Sequence, residues 1–171
     1  MKRKSLLNLI FAALFAALVL VVTRLSMPIG SFGYIHAGDA MIYLAVLLLP
    51  LPYALPAAAI GAGLADLTSG YAVYVLPTVL IKAAIVLAAK GLLRLSEKPV
   101  VQDILICSTG VITMAGYYIA DTVLALISGS NAAAAFIAPL QAIPLNGIQA
   151  IASAILYLLL AAGVRKAFKH L

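Results

Sequence analysis

Apolar runs of membrane-spanning length, punctuated by short breaks rich in glycine, proline or tyrosine, make up almost the whole chain. The first run covers residues 5–26 and stops at Met27-Pro28-Ile29-Gly30. A polar and aromatic loop follows at residues 30–38. The second run, residues 39–49, passes into a cluster formed by Pro50, Pro52 and Pro56, and the third, residues 57–67, is dense in alanine and glycine. Residues 68–71 read as a loop. Further runs occupy residues 77–93, 104–127 and 138–164, and Ser128-Gly129-Ser130-Asn131 marks a turn between the last two. A helix needs about 20 apolar residues to cross a bilayer. Pro77 suits the first turn of its helix, where the missing N–H costs nothing. Periodicity alone leaves residues 39–67 as either one broken span or two short ones joined at the prolines.

Composition turns these runs into membrane spans. Hydrophobic residues are 65% of the 171 positions and charged residues 9%, and mean hydropathy is +1.19. Soluble domains carry roughly 45–50% apolar residues. A chain of this size has no way to hide such a surface from water, so it reads as one integral membrane domain over residues 1–171, all-α in class. The N-terminal Lys-Arg-Lys and the run behind it mimic a signal peptide. No small-x-small cleavage site follows, so the run is taken as a retained span. Cys107 lies alone in an apolar run and reads as a packing residue.

Charge then decides the span count. Nine of the eleven basic residues fall in three clusters: Lys2, Arg3 and Lys4; Lys90, Arg94 and Lys98; Arg165, Lys166 and Lys169. They cap apolar spans, so the net charge of +6 points to the lipid bilayer at a cytoplasmic leaflet and not to nucleic acid. Two helices in residues 39–67, six spans in all, put the three clusters on one side. A single helix there would separate them. The positive-inside rule therefore predicts six transmembrane helices with both termini cytoplasmic, in a multi-pass membrane protein. The outward loops are then residues 27–38, 68–76 and 128–135.

The remaining ionisable residues lie elsewhere. Lys82 is expected roughly 8 Å inside its span, where an unpaired charge would cost on the order of 3 kcal/mol. Asp121 has similar depth, and Asp39 and Asp66 stand at the outer ends of their helices. Such residues either pair with one another, Lys82 with Asp121 or Asp66, or line a ligand pocket, and both can hold at once. Tyr117 shares a helix face with Asp121. Asn146 and Gln149 flank Gly147 near Pro144, and Tyr34, His36 and Tyr74 come from the loops above. The candidate substrate-binding set is thus Tyr34, His36, Asp39, Asp66, Tyr74, Lys82, Tyr117, Asp121, Asn146 and Gln149. The bland alternatives are an interfacial aromatic belt for tyrosines and interhelical hydrogen bonds for the amides. On the first span, Ala12, Ala13, Ala16 and Ala17 form two overlapping small-xxx-small pairs, and Ala57, Gly61 and Ala65 repeat the spacing on the third.

The chain has no phosphate loop, no His-Glu-x-x-His, no Cys/His cluster and no Gly-x-Ser-x-Gly. It therefore reads as a non-enzyme without catalytic residues, metal or cofactor. Three segments, Ala12-Ala-Leu-Phe-Ala-Ala17, Ile35-His-Ala-Gly-Asp39 and Ala65-Asp-Leu-Thr-Ser-Gly-Tyr71, together with the span count, resemble the substrate-binding S components of energy-coupling factor (ECF) vitamin transporters. The resemblance covers essentially the whole chain. It implies a place in the bacterial cytoplasmic membrane and capture of a vitamin-type small molecule in an outward-facing pocket. It also implies association with an ECF transmembrane coupling subunit and two cytoplasmic ATPases, docking through Ala12, Ala13, Ala16 and Ala17. Tyrosine rings, both charge signs and side-chain amides suit a small polar ring, and among the family's substrates a pyridoxine-like or hydroxymethylpyrimidine-like molecule is the expectation. The competing reading is a self-sufficient ion-coupled transporter or channel with Lys82, Asp121 and Asp66 as a relay. The absence of an obvious internal repeat weighs against it.

Overall fold

The computed structural model describes residues 2–28 and 34–167, the side chains of residues 2, 27, 28 and 34 excepted. The loop at residues 29–33, and Lys169 and His170 at the C-terminal end, lie outside the described residues. Eight α-helices are described: α1 (Lys2–Arg24), α2 (Asp39–Leu48), α3 (Leu51–Thr68), α4 (Val75–Leu92), α5 (Pro99–Ser108), α6 (Gly110–Ile127), α7 (Ala132–Ile137) and α8 (Ile143–Ala167). Short 3₁₀ turns precede α4 and α8 and follow α4. Among the described residues the one strand pairing is a two-residue antiparallel ladder between α1 and α2, Met27 with Ile35 and Pro28 with Tyr34. Four helical segments, residues 3–24, 72–95, 99–127 and 132–167, are long and apolar enough to cross a membrane.

The prolines explain how residues 39–67 divide. Leu49 is extended, with φ −103° and ψ 144°, as a residue before proline tends to be. That ends α2 after ten residues. Pro50 then caps α3, and Pro52 falls in its first turn, where no backbone donor is needed. Pro56 lies inside α3 and leaves the Pro52 carbonyl without its helical donor. The expectation of two helices here holds, but the break sits at residues 49–50 and leaves α2 far shorter than α3.

Two further boundaries differ from the sequence expectation. The run expected at residues 104–127 starts at Pro99 and is broken at Thr109 into α5 and α6. Ser108 Oγ donates to the Leu105 carbonyl at 2.8 Å and Thr109 Oγ1 to that of Ile106 at 2.6 Å, and such back-bonding competes with the helical ladder. The expected loop at residues 128–135 contains most of α7, whose start is set by Asn131 Oδ1 accepting from the Ala134 amide at 2.9 Å. Helices α3 and α6 end alike. Gly70 and Gly129 adopt φ of 85° and 86°, and the next amide bonds back to Asp66 or Ala125 at 2.9 and 3.0 Å, which is the Schellman closure that glycine permits.

The helix directions follow from the side-chain ties. Ser5 Oγ meets Tyr53 Oη at 2.8 Å, and Arg24 donates to the Thr68 carbonyl at 2.7 Å and to Ser69 Oγ at 3.0 Å. Helices α1 and α3 therefore run parallel. Between those ties they are in close contact: a Cβ on Gly61 would stand 2.5 Å from the Ala16 carbonyl oxygen and 2.9 Å from Val19 Cβ. Helix α4 returns antiparallel, and α5 begins where α4 ends. Arg165, near the end of α8, reaches back to α5 through the Asp103 carboxylate at 2.7 Å and the Gln102 amide oxygen at 3.2 Å. The N-terminal lysine–arginine run, Lys90 to Lys98 and Arg165–Lys166 thus share one end of the bundle.

Candidate functional site

At the other end, a buried polar node joins three helices. Asp39 opens α2, where the helix N-terminus favours a carboxylate. Lys82, from the first half of α4, places Nζ 2.7 Å from Asp39 Oδ1 and 2.9 Å from Oδ2. Thr113 of α6 donates to Oδ2 at 3.0 Å. Both charged side chains are 1% exposed. An ion pair at that depth persists because both carboxylate oxygens are engaged by the cation and a hydroxyl adds a further donor. The expected pairing of Lys82 with Asp121 or Asp66 is corrected: its partner is Asp39. The chain leaves α1, makes the short hairpin and enters α2 directly beside α4, so Asp39 reaches the cation first.

Aromatic residues cover the node. Lys82 Nζ lies 5.3 Å from the centroid of the Tyr117 ring, within range of a cation–π attraction. Tyr117 Oη meets Thr78 Oγ1 at 3.0 Å. Tyr74, from the turn before α4, donates to Asp121 Oδ1 at 2.9 Å and stacks edge-on with Tyr71 at 6.4 Å. Asp66 is buried and close enough to Lys82 and Tyr117 to act on both electrostatically. In the connector, His36 is buried, and its Nδ1 accepts the Gly38 amide at 3.1 Å. Burial lowers the imidazole to about 4, with Lys82 acting in the same direction and Asp39 against it. It is neutral at pH 7, as an accepting Nδ1 requires. Gly38 carries no side chain because a Cβ there would collide with Thr23 Oγ1 of α1.

Most of the residues singled out from sequence therefore converge. Asp39, Lys82, Asp66 and Tyr117 form one cluster, Tyr74 and Asp121 a hydrogen-bonded pair beside it, and His36 the connector above. Asn146 is half-buried on α8. Gln149 is 3% exposed, and its Nε2 has no hydrogen-bond partner among the described residues. Tyr34 lies outside the described side chains. Thr113, Thr78 and Thr23 were missed. Thr113 carried a readable signal, because Thr109, Thr113, Tyr117 and Asp121 recur every four residues and trace one polar stripe along the helix.

The alanine pairs on α1 divide between two faces. Ala12 is buried and Ala16 packs on Gly61, whereas Ala13 and Ala17 are exposed. Leu6, Leu9, Ile10, Leu14 and Val21 are exposed on the same helix, as befits a surface that meets lipid or another membrane helix.

Two comparisons bear on this arrangement. The family model described as "ECF-type riboflavin transporter, S component" matches residues 3–166. No curated protein matches the chain.

Proposed function

Because the chain belongs to the family of ECF-type riboflavin transporter S components, we propose that it is the substrate-binding subunit of an ECF importer and that its ligand is riboflavin or a close flavin. The observation that carries this reading is the match over residues 3–166, falling on a bundle whose buried polar node lies opposite its basic end. In this reading six helices span the membrane with both termini cytoplasmic, and the polar node faces outward. The basic clusters meet the inner leaflet, following the positive-inside rule.

The ligand approaches from the connector at residues 34–38 and the turn before α4. Tyr74 and Tyr117 offer ring faces for stacking on a flavin, and Asp121 and Asn146 offer hydrogen bonds to its polar edge or ribityl hydroxyls. Asp39 and Lys82 hold the frame beneath, with Asp66 completing the charged layer. A flavin ring system is larger than the pyridoxine-like or hydroxymethylpyrimidine-like molecule expected from side-chain chemistry alone. Tyrosine stacking accommodates all three, and the family match favours the flavin.

Delivery requires partners: a transmembrane coupling subunit and two ATPases. Docking falls to the exposed Ala13 and Ala17, with Ala12 and Ala16 forming the floor against α3 that keeps this face flat. Small residues there let a partner helix approach closely.

The test is purification of the chain alone, followed by titration with riboflavin, pyridoxine and hydroxymethylpyrimidine. Flavin fluorescence should quench at one equivalent, with a raised melting temperature, and neither smaller ring should match it. Vesicles holding only this chain should take up no ligand. Uptake without an ATPase partner would establish the self-sufficient transporter instead. A response to pyridoxine alone would keep the S-component role and replace the ligand.

A further inference from the structure

Helix α8 carries a polar stripe that ligand capture at the Asp39–Lys82 end leaves unexplained. Gln149, Ser153 and Tyr157 follow one another at four-residue spacing and are all buried, at 3%, 0% and 0% exposure. Helices α5 and α6 run antiparallel to this stripe. A Cβ on Gly147 would touch Met114, one on Gly110 would touch Ala150, and Tyr157 Oη donates to Asp103 at 2.6 Å. In that register Gln149 lies about half a turn below the Thr113–Asp39 layer, and Ser153 a further turn deeper, beside the break at Thr109.

Tyr157 is satisfied by Asp103, but the two residues above it are not. Gln149 Nε2 and Ser153 Oγ have no hydrogen-bond partner among the described residues. On the facing helix α2, the Tyr43 hydroxyl points to the same junction: a Cβ on Gly110 would stand 3.2 Å from it and 3.0 Å from Ala150 Cβ. Thr109 is its side-chain hydrogen-bonding neighbour, in a contact short of full geometry that leaves Tyr43 Oη capacity for a further partner. The Thr109 hydroxyl itself already donates to the Ile106 carbonyl. Buried polar atoms in native proteins find a partner, and a buried water bonded to about three of them is the usual one.

We propose that the α2–α6–α8 junction is an internal hydration site, in which ordered water is bound by Gln149 Nε2, Ser153 Oγ and Tyr43 Oη. The three groups supply an amide donor and two hydroxyls that both donate and accept, which matches the needs of one or two water molecules. The site lies directly beneath the proposed ligand cluster, and the inference does not depend on which ligand is bound. Water there joins α8 to α2, beside α6, through hydrogen bonds that can exchange partners without repacking of side chains.

The test uses the intact chain in lipid bilayers. Water-edited solid-state NMR should show rapid magnetisation transfer from water to the Gln149 side-chain amide despite its burial. Ser153→Ala should lower the melting temperature by a few degrees and leave flavin affinity unchanged within twofold. Gln149→Met supplies a second stability readout should the Ser153 variant express poorly, and its melting temperature should also fall. A dry junction predicts the opposite: no transfer from water, and a raised melting temperature for both variants because an unsatisfied polar group has been removed. That pair of results overturns the proposal. A tenfold loss of flavin affinity in Ser153→Ala, with melting temperature raised, also overturns it by assigning the junction to the ligand.

Discussion

Lys82→Met alone and Lys82→Met combined with Asp39→Leu should have opposite consequences for stability. In the single variant the Asp39 carboxylate stays at 1% exposure with Thr113 as its remaining side-chain donor and no cation against it. Breaking a buried pair from one side costs about 3–5 kcal/mol. At roughly 2–4 °C per kcal/mol for a chain of this size, the melting temperature should fall by about 10 °C. Removing both charges eliminates the Asp39 carboxylate stranded at the pair, leaving only the weaker, longer-range loss of the cation at Asp66, and apolar replacement of a buried pair is often neutral or stabilising by about 1–4 kcal/mol. The Thr113 hydroxyl would then be left without its acceptor, at about 1–3 kcal/mol, so Thr113→Val is added as a third change. Melting temperature is followed in detergent, and flavin affinity is titrated on the same samples. The triple variant should melt within a few degrees of the parent and bind flavin within about fivefold, since in the proposed site these residues hold helices and do not touch the ligand. A triple variant that melts normally yet binds flavin a hundredfold more weakly refutes the framing role. A triple variant as unstable as Lys82→Met refutes the coupling itself.

Three other outcomes are expected. His36 has its folded-state value lowered to about 4 from 6.5, so the unfolded chain binds a proton between those values that the folded chain does not. Its contribution, on the order of 3 kcal/mol, is complete above about pH 6.5 and lost as pH falls toward 4; His36→Gln should flatten that part of the melting-temperature profile. Gly61→Leu drives a side chain into the Ala16 carbonyl and should cost about 3 kcal/mol or prevent folding, whereas Ala13→Trp, on the exposed face, should leave melting and flavin affinity unchanged while transport by the assembled importer falls. Asp103→Asn weakens the acceptor shared by buried Tyr157 and by Arg165 and should cost about 1–3 kcal/mol of stability, read as a lowered melting temperature, with no change in flavin affinity, because it lies at the opposite end of the bundle.

The architecture was legible because lipid and backbone chemistry leave few choices. Apolar runs must be helical where no water can satisfy the peptide groups, and prolines mark where a helix cannot continue. A break within the proline cluster followed from those rules, but its place before Pro50, with Pro52 and Pro56 inside α3, did not. The break at Thr109 did not, because Cys-Ser-Thr-Gly in an apolar run reads as helix until the hydroxyls are seen bonding back to carbonyls a turn away. Helix α7 was hidden for a related reason: Ser-Gly-Ser-Asn signals a turn, and the same Asn131 that ends the turn caps the helix after it.

For the site, sequence identified which residues were out of place in a membrane but not which would meet. A buried cation needs an anion, and depth along each helix pointed to Asp121 or Asp66 for Lys82, whereas its partner is Asp39. The decision depended on helix neighbours, because Asp39 is delivered to α4 by a connector held to α1 by the Thr23–Gly38 contact. The alanine pairs show the same limit. Residues four apart share a helix face, so Ala12 pairs with Ala16 and Ala13 with Ala17, but their order in sequence does not say which face is turned inward. Gly61 decides it: the missing Cβ admits the α1 backbone at Ala16 and turns Ala13 and Ala17 outward. In the proposed reading the docking surface on α1 is made by the internal contact behind it, which is why Gly61→Leu and Ala13→Trp, on opposite sides of one helix, should separate folding from assembly.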